Sequence, residues 1–175
     1  MKKREFLNGS KMRLAFFIAL SVAVLLTLCF IWGNSVLPKQ ESAEVSGSVY
    51  ETAKPALDKT FGEGKVTHGI FRKMAHATEF MILSLELNLL FLTVKKVSLL
   101  NPAFALGVSA IVASIDETIQ IFSNRGPAVK DVLIDCGGAA FPAAAFFIVY
   151  AVILFIRLKK GKPENSESEN AINHE

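Results

Sequence analysis

Four apolar blocks set the terms on which this chain can fold. The segments 14–33, 70–94, 97–121 and 132–156 are each long enough for a bilayer-crossing helix, which needs roughly 18 or more predominantly apolar residues. Three of them hold charge-free runs, Leu14 to Trp32, Val97 to Ile115 and Cys136 to Ile156. At about 1.5 Å rise per residue, such helices cross a hydrocarbon core of about 30 Å. Because 51% of the 175 residues are apolar and these are gathered in blocks, a soluble fold is excluded. The second block is the weakest by hydropathy and the richest chemically, since Arg72, Lys73, His76, Glu79 and Glu86 interrupt it.

Basic residues set the orientation, because cytoplasmic flanks of spans carry an excess of Lys and Arg. One cluster (Lys2, Lys3, Arg4, Lys11, Arg13) precedes the first block, Lys95 and Lys96 follow the second, and Arg157, Lys159, Lys160 and Lys162 follow the fourth. All three share a side only if the number of spans is even. The expected fold is therefore an all-α integral membrane four-helix bundle, multi-pass in the cell membrane, with both termini cytoplasmic. Residues 1–13 form a basic cytoplasmic N-terminus, 34–69 an extracytoplasmic loop, 122–131 a short extracytoplasmic turn and 157–175 a cytoplasmic tail. The tail sequence KGKPENSESENAINHE is almost devoid of apolar residues, which predicts disorder.

The basic head and apolar stretch also resemble a secretory signal, and Leu26-Thr27-Leu28-Cys29 loosely resembles a lipoprotein cleavage site. Leu28 is too large for the residue before such a cysteine, so the first block reads as an uncleaved anchor. Cys29 and Cys136 both fall within spans, which leaves no disulfide framework. The net charge of +3 comes from the flanks; it suits contact with membrane lipids and gives no reason to expect nucleic acid as a partner. The 34–69 loop reads as a flexible cover over the bundle mouth, with weak periodicity for a short amphipathic helix near Val45 to Phe61. The small residues of CGGAAFPAAA put the fourth span in the middle of the packing, with Pro142 a place for a kink.

The ionisable residues follow helical spacing. Arg72, His76, Glu79 and Glu86 are separated by four, three and seven positions, and Ser109, Asp116, Gln120 and Ser123 by seven, four and three, with Glu117 on the flank. At about 100° per residue each set makes one stripe. The fourth span opens with Asp131 and Asp135, one turn apart, and continues through Gly138. With four spans, the charged ends of the second, third and fourth meet on one side, where Arg125 of the connecting turn SNRGPAVK joins them. A charge at the bilayer centre costs at least about 2.5–3.5 kcal/mol. Several together require pairing, protonation, a cation or a wet cavity.

Two accounts of the cluster compete. In one, ion pairs such as Arg72 with Glu79 and Arg125 with Asp131 fix helix register and do nothing more. In the other the acids, which outnumber the bases, form a site. Three functions suit a site. One is an enzyme at the outer face acting on a lipid-linked or cell-wall substrate, with His76, Glu79, Asp116 and Glu117 as its acid-base groups. Arg72 and Arg125 would hold a phosphate or carboxylate. No cofactor is required, although a divalent metal held by His76, Glu79, Asp116 and Glu117 is compatible with the chemistry. Another is a non-catalytic protein that binds an antibiotic or envelope precursor. The last is a small proton-coupled transporter, for which Glu86 extends the polar stripe inward.

Three ordered motifs carry a family resemblance: Arg72-Lys73-Met74-Ala75-His76-Ala77-Thr78-Glu79-Phe80, then Asp116-Glu117-Thr118-Ile119-Gln120-Ile121-Phe122, then Arg125 followed by Asp131-Val132, Asp135 and Gly138. Over roughly Trp32 to Val149 the chain resembles the VanZ-like family. Arg72, Lys73, His76, Glu79, Asp116, Glu117, Gln120, Arg125 and Asp131 correspond to the family's characteristic positions, whereas Asp135 stands where many members have Asn. The resemblance implies a small envelope membrane protein linked to resistance to the glycopeptide teicoplanin. By this resemblance Arg72, Lys73, Gln120, Arg125, Asp131 and Asp135 are the candidate substrate-binding residues.

Overall fold

The computed structural model describes residues 2–94, 98–123 and 129–160, with side chains for residues 10–159 of those stretches. They form five α-helices and no strand: α1 (Lys2–Val36), α2 (Lys39–Phe61), α3 (His68–Val94), α4 (Leu100–Phe122) and α5 (Val129–Lys160). Four of them, all but α2, are long and apolar enough to cross a membrane. Arg125 and the tail beyond Lys160 lie outside the described residues, as do Lys95 and Lys96.

The spans exceed their apolar blocks because nothing in the flanking sequence breaks the helix. α1 continues one turn past Trp32 to Val36 and stops just before Pro38. α5 begins at Val129, which puts Asp131 in its first turn, beside the amides that favour negative charge. Pro102 falls in the first turn of α4, where its missing N–H costs nothing.

The 34–69 segment differs from a flexible loop. Most of it is α2, which begins six residues before the expected Val45. Pro38 starts it, with Ser42 N donating to Pro38 O at 3.0 Å. Gly62 ends it at φ 99°, a left-handed value that glycine reaches without a Cβ clash. No residue of α2 is buried, which is why apolar periodicity gave so faint a signal.

α3 is the hub. It packs most extensively on α5, then on α1 and α4, and α2 rests on α3. The core is thin and mixes small and large side chains, among them Ile31, Phe80, Leu83, Leu87, Val112 and Ala139. Large apolar residues such as Leu26, Phe141 and Phe155 face outward, as a lipid solvent requires and water would not permit. Polar groups inside the bundle are tied across helices. Ser84 Oγ of α3 donates to Ala139 O of α5 at 2.8 Å, near Pro142, while within α3 Asn88 Nδ2 donates to Ser84 O at 2.8 Å.

α3 and α5 approach each other closely at Gly138. A Cβ on Gly138 would lie 2.7 Å from the carbonyl carbon of Ala77 and 2.9 Å from its Cα. Only glycine lets the two backbones touch there. This crossing brings His76, beside Ala77, next to Asp135, one turn before Gly138. At the opposite end Arg13 Nη2 of α1 donates to Thr93 O at 2.9 Å, in the last turn of α3.

Candidate functional site

Asp116 of α4 is fully buried and anchors the polar end of the bundle. Ser35 Oγ of α1 donates to its Oδ1 at 2.6 Å, and Gln120 Nε2, one turn on, donates to its Oδ2 at 2.7 Å. Gln120 Nε2 also reaches Ser35 Oγ at 3.3 Å, and Ser123 Oγ donates to Ser35 O at 3.0 Å. The ends of α1 and α4 are thus joined through one carboxylate, held by donors on both of its oxygens. Because each carboxylate oxygen has two lone pairs, both keep capacity for another partner.

His76 of α3 and Asp135 of α5 complete the centre. One side-chain ligand atom from each of His76, Asp116 and Asp135 lies within 4.8 Å of the others. Asp135 is only 4% exposed, and its Oδ1 is buried without a hydrogen-bond partner among the described residues. Glu79 Oε2 is likewise buried without a hydrogen bond; it stands 3.8 Å from His76 Nδ1, an ion pair only when the imidazole is protonated. Asp135 interacts electrostatically with Asp116, Glu79, Asp131 and Glu117, so five carboxylates share one region.

Among the described residues, positive charge nearby is scarce. Arg72 is half-buried and makes no ion pair with Glu79, and Lys73 is exposed. The pairing of Arg72 with Glu79, one basis for a purely structural cluster, is therefore absent; the other pairing involves Arg125, outside the described residues. Glu86 stands apart from the centre and accepts a hydrogen bond from Thr27 Oγ1 at 3.1 Å.

A cavity of about 290 Å3 opens above the centre, between α1, α2 and α3. Phe30 of α1, Leu37 just after it, and Val45 and Val49 of α2 give it apolar walls, while Arg72, His76 and Glu79 supply its polar floor. α2 is fastened over it by a Ser46 Oγ to His68 Nε2 contact of 2.9 Å and by Tyr50 OH donating to Val66 O at 2.8 Å. The Tyr50 ring also lies against His68 and Phe71, at centroid separations of 5.5 and 5.6 Å.

The four-residue set suggested by sequence divides here. His76 and Asp116 stay together, Glu79 is adjacent, and Glu117 turns to the half-exposed flank of α4, about 100° round from Asp116. Asp135 takes the place beside Asp116. Sequence reasoning missed Ser35, because the apolar block ends at Trp32 and the following residues read as loop. The signal was the lack of a proline before Pro38, which allows the helix one more turn.

Buried carboxylates beside an imidazole can exchange protons or hold a cation, and the guanidinium of Arg72 can take an anionic head group. The family model described as VanZ/LLP1 matches residues 15–158. No curated protein and no solved structure matches the chain.

Proposed function

Because the chain belongs to the VanZ/LLP1 family, we propose that it is a multi-pass protein of the cell membrane whose polar end takes the head group of a lipid-linked or cell-wall precursor. On this reading it reduces susceptibility to glycopeptide antibiotics of the teicoplanin type. Both termini are cytoplasmic, by the distribution of Lys and Arg, and the cavity faces the outer side.

The observation that carries the reading is the two-sided character of the cavity. Apolar walls from α1 and α2 suit an acyl or prenyl chain, and the floor of Arg72, His76 and Glu79 suits a phosphate or sugar head. Arg72 binds the anionic group, while His76 and Glu79 lie where protons would be moved to and from the head group. Lys73, Gln120 and Asp131 belong to the surrounding binding shell, and the family resemblance adds Arg125, which lies outside the described residues.

The test is complementation of a deletion strain with wild type, Glu79→Gln, Asp116→Asn or His76→Ala, with membrane abundance measured for each. Restored teicoplanin resistance with wild type alone, at equal abundance, supports the reading. Full complementation by all three variants would sink it.

A further inference from the structure

Two buried aspartates and a histidine that also lines the cavity, from three different helices, lie within reach of one another. We propose that His76, Asp116 and Asp135 bind a divalent transition-metal ion, with Zn2+ the best fit. One atom from each residue lies within 4.8 Å of the others. Ligands held at about 2.0–2.2 Å from a common zinc stand about 3.3–3.6 Å apart in a tetrahedron. Small rotations of the side chains close the difference.

Asp135 is the observation that distinguishes this centre from a mere gathering of acids. Its side chain is 96% buried (4% exposed), yet Oδ1 has no hydrogen-bond partner among the described residues. An unsatisfied carboxylate oxygen in so dry a place is costly. A cation on its lone pair removes that cost, and two carboxylates around a dication cancel its charge. Asp116 is already held as an outer shell would hold a ligand, by Ser35 on one oxygen and Gln120 on the other.

The donor set selects the ion. One imidazole nitrogen and two carboxylate oxygens match the N/O preference of zinc, whereas calcium takes six to eight oxygens and magnesium keeps most of its water. Since His76 also lines the cavity, an ion held by these residues would lie beside that space. That the ion meets a precursor head group there rests on the function proposed above; its binding does not.

The experiment uses the full chain in detergent micelles, stripped with chelator, reloaded with Zn2+ and freed of excess, then read by elemental analysis and titration calorimetry. One zinc per chain is expected in wild type. Asp116→Asn and Asp135→Asn, which keep side-chain shape, should bind at least about tenfold more weakly, and Ser35→Ala, which leaves all three ligands in place and removes only the hydrogen bond to Asp116, about tenfold more weakly. Gel filtration and circular dichroism confirm that each variant is folded. Co2+ added to wild type gives a reading that needs no variant: visible d–d absorption supports the site, and its absence overturns it. Sub-stoichiometric zinc in wild type, or unchanged affinity in the folded Asp variants, also overturns it. Zinc binding in a protein whose Asp116→Asn variant still confers resistance would leave the metal site standing and remove the envelope role; lost resistance without zinc binding would do the reverse.

Discussion

Ser35 Oγ lies 2.6 Å from Asp116 Oδ1, and neither residue has any exposed surface. This contact joins α1 to α4 at the level of the site, so position and stability are coupled there. Ser35→Ala should destabilise the protein by about 1–3 kcal/mol, because it removes a hydrogen bond to a buried carboxylate. Ser35→Thr, which keeps the hydroxyl, should cost less. Thermal unfolding in detergent checks the order; equal stability of Ser35→Ala and wild type would contradict it.

Gly137 and Gly138 are neighbours with opposite tolerances. A Cβ on Gly137 meets nothing within 4 Å, whereas one on Gly138 runs into the backbone of Ala77. Gly137→Ala should be neutral, or stabilising by up to about 1 kcal/mol through helix propensity. Gly138→Ala should destabilise by about 1–3 kcal/mol, as an overpacked contact does. Membrane abundance and apparent melting temperature of the two variants test the contrast.

Glu86 is held by Thr27 and does not join the centre. Glu86→Gln keeps an oxygen for Thr27 and removes a charge from the span. Resistance should be unchanged and abundance equal or higher. A loss of resistance at normal abundance would instead return Glu86 to the functional residues and revive a transport role.

Tyr50→Phe keeps the ring against His68 and Phe71 but loses the bond to Val66 O. The cost should be about 0.5–1.5 kcal/mol, felt in α2 before the spans. Hydrogen exchange should rise within residues 39–61 and stay unchanged in α3 and α4.

How far these features could be read from sequence varies with the solvent each helix meets. In α4 the 3.6-residue repeat of Ser109, Asp116 and Gln120 marks the inward stripe, because lipid on the other side tolerates no such groups; all three are buried. The four spans were readable for the same reason. α2 has no buried residue and packs mainly on α3, so no apolar stripe announced it. Spacing within one helix brought His76 near Glu79, but only the glycine contact of α3 with α5 brings Asp135 to His76. That partnership is a property of the crossing point and has no local sequence signature.

The slight fastening of α2 has a thermodynamic corollary. A helix with no buried residue, secured by a few polar contacts and the ring of Tyr50, gives up only a few kcal/mol when it lifts. The spans beneath, locked at Ala77 and Gly138 and at Ser35 and Asp116, would stay in place meanwhile. If the cavity takes a bulky amphiphile as proposed, its entry requires only that α2 come away locally, so its rate of capture would follow how often α2 detaches.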